Sequence, residues 1–489
     1  MRKTKIICTI GPVSHSSKML RKLAKAGMNI ARLNMSHGSH DSHAEVIKSI
    51  RELNTTLEQP IAVMLDTQGP EIRTGDRTND LHLKTGDVIS IVVRGSEDVE
   101  STSILVNYED LVKDMNRGDI ITVDNGLINL KVLSKETRSM RCEVIDGGTL
   151  KSKRHVNLPG IRINLPAITE KDRRDIEFAI AQNVDFIALS FVRKASDVSE
   201  LRSLLGNQSK DIKVIAKLED QEAITNMVEI AENADGIMVA RGDLGAEIRL
   251  EVLPRIQRRI IRTCAEMGKR VIVATHMLES MIEKPIPTRA EVTDVANAVY
   301  EEVDAIMLSG ETTVGKFPVR CVEILNKIAC STESSRGLCF TNNLILENEK
   351  QHVAQAAVHL AESIQAAAIL VPTRLGRMAN WVTNCHPQKS IICAFTNDNR
   401  IARQLVLNRN VLSYLINFDE NPEITLAKSA QIMLASGKFS SNQKVVVISD
   451  TLAGRGIEAI QIREVGDLVQ VKDEEAPTLC QSGLPKNNL

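Results

Sequence analysis

Aromatic side chains and unbalanced charge are both scarce in this sequence. Phe, Tyr and Trp make up only 2% of the 489 residues, and 61 Lys and Arg residues stand against 62 Asp and Glu residues. Nucleic-acid-binding proteins stack bases on exposed rings and attract phosphates with an excess of basic residues. Anionic membrane surfaces likewise attract basic segments. We therefore expect neither a nucleic acid nor a membrane as a partner.

Long apolar runs and paired cysteines are also missing. No apolar stretch approaches the ~20 residues that cross a bilayer. The first residues, MRKTKIICTIG, are basic but pass directly into a strand-like segment without the features of a cleaved leader. The nine cysteines are scattered without regular spacing, which argues against a disulfide framework or a zinc site. The sequence thus predicts a cytoplasmic protein, or one of a similar reducing compartment.

A repeated unit is the main feature that is present. A short apolar segment ends in polar residues and is followed by an amphipathic helical pattern, as in SKMLRKLAKAG. Eight such units predict an α/β fold with a closed (β/α)8 TIM barrel, in which the active site lies where the strands end. The apolar segments span residues 4–10, 29–35, 61–67, 185–192, 213–219, 236–242, 270–277 and 304–310.

The chain is too long for a barrel alone. Between the third and fourth strands, short alternating runs such as DVISIVV predict a small inserted β-barrel domain, a lid that can close over the barrel and exclude water. After a polar connection, four apolar strands alternate with helices, which predicts a three-layer α/β domain. The predicted limits are 1–69 and 168–335 for the barrel, 70–167 for the lid, 345–470 for the C-terminal domain and 471–489 for a disordered tail.

The segment 213–245 carries the strongest chemical signal. Lys217 and Glu219 lie at i and i+2 of a strand end, so they project from one face, and Asp243 follows the next strand beside Gly242. Two carboxylates on neighbouring strand ends suit Mg²⁺ or Mn²⁺ with positions left open for a phosphorylated substrate. The alternative is a structural ion pair between Lys217 and Glu219, with Asp243 as a helix N-cap.

Other strand exits carry groups that fit the same chemistry. Arg32 and Arg73 are fork-shaped donors that match phosphate oxygens, and the hydroxyl of Thr275 can relay a proton. Hard oxygen donors suit a large monovalent or divalent cation better than zinc. Because all these groups follow strands of one barrel, they predict metal-assisted phosphoryl transfer. The oxygen donors at strand exits are Asn34, Ser36, Asp66, Thr67 and Ser190.

Three other patterns have simpler explanations. GETTVGK (310–316) fits the skeleton of a P-loop, but Phe317 stands at the Ser/Thr position and Pro318 interrupts the helix start. The histidines of SHGSHDSH suit a solvated helix start better than a metal site, and only His37 is close to the predicted site. AGRG at 453–456 indicates a loop.

Ten segments together resemble the pyruvate kinase family over about residues 2–465. The resemblance implies transfer of the phosphoryl group of phosphoenolpyruvate to ADP, giving pyruvate and ATP, with Mg²⁺ or Mn²⁺ and K⁺ as cofactors. The segments are TKIICTIGP, ARLNMSHG, DTQGPEIRTG, VNLPG, LSFVRKASDV, AKLED, MVARGDLG, ATHMLESM, PTRAEVTDVANAV and AIMLSGETTVGKFP.

The resemblance also implies roles for single residues. Lys217 and Arg32 would stabilise the migrating phosphoryl group from two sides, with Arg73 nearby, and Thr275 would belong to the route that protonates the enolate. The implied ligand sets are Glu219 and Asp243 for the divalent metal; Asn34, Ser36, Asp66 and Thr67 for K⁺; Gly242, Asp243 and Thr275 for phosphoenolpyruvate; and Asn34, His37 and Lys153 for the nucleotide.

The sequence departs from the family pattern at three positions. Gln68 stands where the family usually has Lys, His276 where it usually has Gln, and Gln59 where many members have Arg. These departures leave the nucleotide contacts open. Glu71 resembles the potassium-dependent members, which carry a carboxylate here instead of a lysine. We therefore expect activation by K⁺.

The C-terminal domain resembles the effector domain of the family. The segment TRLGR (373–377) resembles its phosphate-gripping loop, although Met378 stands where a Ser is common. The resemblance implies allosteric control by a phosphorylated effector, such as a sugar phosphate, and a homotetramer. The predicted effector residues are Thr373, Arg374, Gly376 and Arg377.

Two other functions are compatible with parts of the pattern. A metal-dependent lyase or aldolase of the phosphoenolpyruvate/pyruvate barrel type also uses Glu and Asp at strand exits, but such enzymes lack an inserted β domain with Lys153. A sugar-phosphate sensor without chemistry would be expected to have lost site residues, whereas Lys217, Glu219 and Asp243 are all present.

Overall fold

The first third of the barrel follows the predicted β/α pattern. The computed structural model describes residues 1–93, 103–124, 126–161, 165–450 and 458–469. Ser16 caps the first helix by accepting a hydrogen bond from the Met19 N–H, and Ser39 begins the second with a reciprocal capping box. The elements are β1 (Lys5–Thr9), α1 (Ser17–Ala26), β2 (Ile30–Asn34), α2 (His40–Asn54) and β3 (Ala62–Asp66).

The chain then forms a separate β domain. Its strands make a six-stranded sheet of order β11-β7-β8-β9-β5-β6 and a two-stranded sheet of β10 with β4. Apolar residues alternate along β8 and β9 and form a core distinct from that of the barrel. The elements are β4 (Leu81–Leu83), β5 (Val88–Val93), β6 (Ile104–Val106), α3 (Leu111–Asp114), β7 (Ile120–Val123), β8 (Ile128–Lys135), β9 (Ser139–Asp146), β10 (Gly148–Leu150) and β11 (Val156–Asn157).

The remaining five barrel strands alternate with helices and short 3-10 turns. The strands are β12 (Phe186–Leu189), β13 (Lys213–Leu218), β14 (Gly236–Ala240), β15 (Arg270–Ala274) and β16 (Ala305–Leu308). The helices are α4 (Glu170–Ala181), α5 (Ala195–Leu205), α6 (Gln221–Thr225), α7 (Met227–Asn233), α8 (Arg241–Glu247), α9 (Leu253–Glu266), α10 (Arg289–Tyr300), α11 (Gly310–Thr313) and α12 (Pro318–Thr332). The 3-10 turns are Gly206–Lys210, Leu250–Val252, Glu279–Ile282 and Phe340–Asn343.

The eight parallel strands close into the predicted barrel. Their order is β1-β16-β15-β14-β13-β12-β3-β2, and β1 pairs with both β2 and β16. Residues at the carboxyl ends lie in register, as Asn34 with Asp66 and Ala240 with Ala274. The polar residues that follow the strands therefore meet at one rim of the barrel.

The C-terminal domain is a sheet with helices on both faces, as predicted, but it has five strands where the sequence predicted four. The order is β19-β18-β17-β20-β21, and a fifth strand, β21, pairs antiparallel with β20. Residues 471–489 and the AGRG loop lie outside the described residues. The elements are α13 (Glu349–Ser363), β17 (Ala368–Pro372), α14 (Arg377–Asn384), β18 (Ile391–Thr396), α15 (Asn399–Gln404), the 3-10 turn Leu405–Leu407, β19 (Val411–Leu415), α16 (Pro422–Ala435), β20 (Lys444–Asp450), β21 (Glu458–Glu464) and α17 (Val465–Val469).

The C-terminal domain packs against the barrel end opposite the strand exits. Val406 and Leu407 of the 3-10 turn join the apolar cluster inside the barrel. Arg403 Nε lies 2.8 Å from Oδ1 of the buried Asp185, which precedes β12. Among the described residues, no helix combines the length and apolarity that crossing a membrane requires.

Candidate active site

The predicted strand-exit residues meet around the ammonium group of Lys217. Lys217 Nζ lies 2.8 Å from Glu219 Oε1, 3.3 Å from Asp66 Oδ1 and 2.7 Å from Ser190 Oγ. Burial disfavours the ammonium charge, but Asp66 and Glu219 outweigh burial and raise the pKa of Lys217 above its ordinary value. Lys217 is therefore a fixed positive charge and not a base at neutral pH.

Asp66 joins Lys217 to the second cation of the site. Arg32 Nε lies 2.6 Å from Asp66 Oδ2, and Arg32 Nη1 donates a 3.0 Å hydrogen bond to Thr9 Oγ1. Burial opposes the charge of Asp66, but Arg32 and Lys217 together lower the pKa of its carboxyl. One buried carboxylate thus holds two cations in place beside each other.

Glu219 and Asp243 form a pair of carboxylates next to these cations. The Phe191 N–H donates a 2.6 Å hydrogen bond to Glu219 Oε2, whereas Glu219 Oε1 is buried and accepts no hydrogen bond of suitable geometry, despite the nearby Lys217. Burial raises the pKa of Glu219 to about 7, and burial also raises the pKa of Asp243. The charge of Asp243 contributes to the raised pKa of Glu219.

This pair fits a divalent cation. Two desolvated carboxylates repel each other, so a cation between them would relieve the repulsion. The described residues contain no cluster of three or more His, Cys, Asp or Glu side chains able to hold a metal. An ion bound here would complete its coordination with substrate oxygens and water, as Mg²⁺ commonly does. The alternative prediction is only half right, because Lys217 does pair with Glu219, but Asp243 lies inside α8, whose N-cap is Ala240.

Gly242 and Thr275 meet beside the carboxylates. The Gly242 N–H donates a 2.9 Å hydrogen bond to Thr275 Oγ1, which itself donates to the Ala274 carbonyl at 2.6 Å. Thr275 and His276 both have left-handed backbone, with φ of 68° and 56°. Arg241, which sequence reasoning missed, holds this turn by donating to the Thr275 carbonyl and pairing with Asp294 at 2.7 Å.

The oxygen donors predicted for K⁺ lie at the ends of β2 and β3. Asn34 and Asp66 are partners in register, and Asn34 Oδ1 accepts a 3.1 Å hydrogen bond from the Ser36 N–H. Thr67 Oγ1 accepts a 3.0 Å hydrogen bond from the Ser190 N–H. Side-chain oxygens of Asn34, Asp66 and Thr67 therefore lie at two neighbouring strand ends, and oxygens of this type suit an alkali cation.

The two chain segments that connect the inserted domain to the barrel, around Ile72 and Val156, form its neck, and the neck adds Arg73 to the rim. Arg73 Nε lies 2.6 Å from Glu71 Oε2, which also accepts a 3.1 Å hydrogen bond from Gln68 Nε2. Burial opposes the charge of Glu71, but Arg73 outweighs it and lowers the pKa of the carboxyl. Lys153, in contrast, pairs with Asp76 at 3.3 Å inside the inserted domain, and both side chains are mostly exposed.

His155 is a further residue that sequence reasoning missed. Its backbone forms an isolated antiparallel β-bridge with Arg73 in the neck, and its Nδ1 lies 3.9 Å from Asp243 Oδ1. Its ring lies 6.2 Å from the ring of Phe191. Burial lowers the pKa of His155, which therefore favours the neutral form. No sequence signal separated this histidine from the other nine.

A cleft of about 970 Å³ opens from Arg32 and Asn34 between α1, α2 and the end of β16. It includes His37 and Gly11, and Gly11 packs so closely on Thr313 that a Cβ there would lie 2.7 Å from Thr313 Cβ. The other two histidines of SHGSHDSH do not form a metal cluster. His40 Nε2 lies 2.7 Å from Asp175 Oδ1, and His43 Nε2 contacts the His37 carbonyl.

Two of the departures from the family pattern lie away from this cleft. Gln59 Oε1 accepts a 2.9 Å hydrogen bond from the Ser413 N–H, so Gln59 belongs to the contact between barrel and C-terminal domain. His276 is half exposed and lies 3.6 Å from Glu279 Oε2. The region of GETTVGK contains the short α11 and the separate α12, which starts at Pro318, and not the single long helix of a P-loop.

A second cavity, of about 530 Å³, lies in the C-terminal domain. Thr373, Arg374 and Arg377 line it, and the Arg374 guanidinium lies 5.7 Å from the centre of the Phe418 ring. Gly376 is left-handed, with φ of 74°, and caps the start of α14. Three of the four predicted effector residues thus line one concave surface that carries two arginines, whereas Gly376 does not line it.

A buried acid near the rim gives a stability prediction. Glu247, at the end of α8, accepts a 2.9 Å hydrogen bond from Asn157 Nδ2, and burial raises the pKa of Glu247 to about 7. In the unfolded chain the pKa of this carboxyl is about 4.3, so the folded protein binds the proton more tightly. The folded protein therefore loses stability as the pH rises from the unfolded pKa to the folded pKa. Glu247→Gln should therefore be more stable than wild type by an amount that grows as the pH rises.

The measurement is the difference in thermal midpoint between Glu247→Gln and wild type from about pH 5 to about pH 8. The difference should grow by several degrees over this range. Glu251→Gln, whose parent side chain is 68% exposed, is the control and should show no trend. A difference that does not change with pH would contradict the prediction.

Comparison with known proteins yields two family models and close relatives. The model described as pyruvate kinase, barrel domain, matches residues 1–322, and the model described as pyruvate kinase, alpha/beta domain, matches residues 351–462. The chain is 44% identical to plastidial pyruvate kinase 3, chloroplastic, of Arabidopsis thaliana over 475 residues, which cover 96% of this chain and 82% of the relative.

Two further relatives cover similar shares. Pyruvate kinase isozyme G, chloroplastic, of Nicotiana tabacum is 42% identical over 475 residues, 96% of this chain and 83% of the relative. The pyruvate kinase of Staphylococcus aureus (strain USA300) is 40% identical over 478 residues, 96% of this chain and 81% of the relative.

Proposed function

The chain belongs to the pyruvate kinase family and is a phosphotransferase that moves the phosphoryl group of phosphoenolpyruvate to ADP. We propose that this transfer occurs at the barrel rim around Lys217. The observation that carries this proposal is the contact of Lys217 with Glu219, Asp66 and Ser190 next to Arg32. The test is formation of pyruvate and ATP from phosphoenolpyruvate and ADP, with the rim variants described below.

The positive charges of the rim lower the barrier to transfer. The bond between the phosphorus and the enol oxygen of phosphoenolpyruvate breaks, and a bond from an oxygen of the ADP β-phosphate to that phosphorus forms. Enolate, phosphoryl group and nucleotide are all anionic, so Lys217, Arg32 and Arg73 reduce their mutual repulsion. The enolate then takes a proton on carbon by a route to which Thr275 belongs. Gly242, Asp243 and Thr275 hold the substrate.

Glu219 and Asp243 hold the divalent cation in this proposal. Mg²⁺ or Mn²⁺ supplies charge neutralisation and orientation of the phosphoryl oxygens. Support comes from the raised pKa of Glu219, to which burial and the charge of Asp243 both contribute.

The nucleotide occupies the cleft beside Arg32. Its volume of about 970 Å³ is sufficient for a nucleoside diphosphate, and Asn34 and His37 line it. Lys153 lies on the inserted domain with only an exposed partner, Asp76. It can turn towards the nucleotide when that domain closes, because an exposed ion pair costs little to break.

Removal of K⁺ should lower activity strongly. The proposed K⁺ site consists of Asn34, Ser36, Asp66 and Thr67, and loss of one charge that stabilises the transferring group typically costs about 10²-fold in rate. The rate of pyruvate formation is measured in buffer free of K⁺ and Na⁺, with tetramethylammonium chloride to hold the ionic strength, and then with added KCl. Full activity without alkali cations would refute the site.

The cavity at Thr373, Arg374, Gly376 and Arg377 is proposed as an effector site for a phosphorylated small molecule. Two arginines and a hydroxyl match a phosphate group. A sugar phosphate or nucleotide bound there should shift half-saturation by phosphoenolpyruvate by about fivefold or more. Arg374→Gln should abolish the shift, and Lys389→Gln, an exposed control, should keep it. A screen in which no such compound shifts the curve would remove the proposal.

A homotetramer is proposed as the working assembly. β21 is an edge strand whose Ile462 is 48% exposed, and α10 exposes Val292 and Tyr300. Edge strands and exposed apolar residues favour contacts with another copy. Sedimentation at micromolar concentration tests this, and a monomer would contradict it. A cytoplasmic location is a further proposal, which cell fractionation tests.

A further inference from the structure

The neck of the inserted domain is a pair of chain segments lying side by side. Ile72 lies on the entering segment, and its carbonyl accepts a 2.8 Å hydrogen bond from the Val156 N–H of the leaving segment. Asn157 follows immediately in β11 and is only 3% exposed. Any rotation of the inserted domain against the barrel must therefore bend the chain next to Asn157.

Asn157 binds a buried carboxylate on the barrel. Asn157 Nδ2 donates a 2.9 Å hydrogen bond to Glu247 Oε1. Glu247 is 7% exposed. This hydrogen bond between two buried side chains makes Glu247 a polar anchor of the neck.

Glu247 is in turn connected to both segments that carry the proposed metal ligands. It lies four residues after Asp243 in the seven-residue helix α8, so the two side chains share one face of that helix. Its backbone carbonyl accepts a 2.8 Å hydrogen bond from Gln221 Nε2, two residues after Glu219. The anchor therefore relates the orientation of the inserted domain to the position of the rim carboxylates.

The contact leaves one polar atom without a partner. Asn157 Oδ1 is buried and accepts no hydrogen bond from any residue that the structure describes. A buried unpartnered oxygen is unfavourable, so this neck arrangement is not fully satisfied, and a small rotation of the neck could give the oxygen a donor. The pair is thus placed where the neck can exchange between arrangements.

We propose that Asn157 and Glu247 are positioning residues that set how the inserted domain closes over the barrel during phosphoryl transfer. The inference rests on the proposed function. Neither residue touches the reacting atoms. They determine whether groups on the inserted domain, Arg73 and Lys153 among them, reach the nucleotide held by the barrel. The affinity for a substrate that only the barrel rim holds does not depend on the pair of Asn157 and Glu247.

The decisive experiment reverses the hydrogen bond. Asn157→Asp replaces the amide that donates to Glu247 by a second acidic group, and the double variant Asn157→Asp with Glu247→Gln restores a donor and an acceptor in the opposite order. We expect Asn157→Asp to lower kcat/KM for ADP at least tenfold and the double variant to recover to within threefold of wild type. Binding of phosphoenolpyruvate with Mg²⁺, measured by calorimetry, should change less than twofold in both.

The matched control is Asn129→Asp, because Asn129 donates a 2.8 Å hydrogen bond to Asp146 on the exposed face of the same domain. It should keep the wild-type kcat/KM for ADP. A wild-type value in Asn157→Asp, or a loss that the double variant does not recover, would overturn the proposal. So would an equal loss of phosphoenolpyruvate binding, since the role would then be only structural. An inactive wild type would overturn the proposed function itself, which keeps the two failures distinguishable.

Discussion

Lys217→Met should lower kcat for pyruvate formation by about 10³–10⁵-fold, the effect typical of removing a cation that stabilises a transferring phosphoryl group. The ammonium group of Lys217 has buried anionic partners on two strands, Asp66 and Glu219, and its raised pKa keeps it charged. A methionine fills a similar volume without the charge. Affinity for phosphoenolpyruvate should fall much less than kcat, because the charge acts mainly as the phosphoryl group departs.

Lys213→Met is the matched control for this experiment. Lys213 begins the same strand, at the opposite end of the barrel, and its side chain is 35% exposed and lies 3.5 Å from Asp235. This variant should keep kcat within about twofold of wild type, since a partly exposed ion pair contributes little. Circular dichroism and thermal unfolding verify that both variants fold. Retention of more than a tenth of the wild-type kcat by folded Lys217→Met would exclude the role assigned to Lys217.

Glu219→Gln should raise the Mg²⁺ concentration needed for half-maximal rate by about 100-fold or more, because even residues that only support a metal ligand change affinity by about 10–100-fold. The amide keeps the hydrogen bond from the Phe191 N–H but cannot neutralise a dication. Binding of Mn²⁺, followed by electron paramagnetic resonance, should weaken in parallel. This second readout separates loss of the cation from loss of the chemical step.

The control for the metal experiment is Glu229→Gln on the exposed side of α7. Its Mg²⁺ titration should overlay that of wild type. Chelation of divalent cations should stop the wild-type reaction, and added Mg²⁺ should restore it. An unchanged Mg²⁺ titration in Glu219→Gln would show that this carboxylate does not hold the cation.

The sequence predicted the barrel well because its strands are short apolar runs that end in polar residues. The run 213–219 corresponds to β13 (Lys213–Leu218), and the run 304–310 contains β16 (Ala305–Leu308). Because the eight parallel strands close into a barrel, the residues that follow the strands meet at one rim. We therefore expected Lys217 and Asp66 to lie on the same rim, although no sequence pattern specified the 3.3 Å between Lys217 Nζ and Asp66 Oδ1.

Other contacts were beyond sequence reasoning because they join segments that are distant in the chain. Arg241 reads as an ordinary strand-end charge, and only the fold brings it to the Thr275 carbonyl and to Asp294. Gln59 lies near the third barrel strand, yet its partner is Ser413 in the other domain. Glu247 resembles a surface acid until the neck of the inserted domain packs over it.

The packing at the closed end of the barrel links the two large units. Val406 and Leu407 fill that end of the barrel, and Arg403 pairs with Asp185, a 1% exposed carboxylate whose pKa burial raises. A shortened protein ending near residue 345 would expose to water the apolar side chains that Val406 and Leu407 cover, and it would lose the cation that faces Asp185. The C-terminal domain therefore supports the barrel as well as carrying its own cavity.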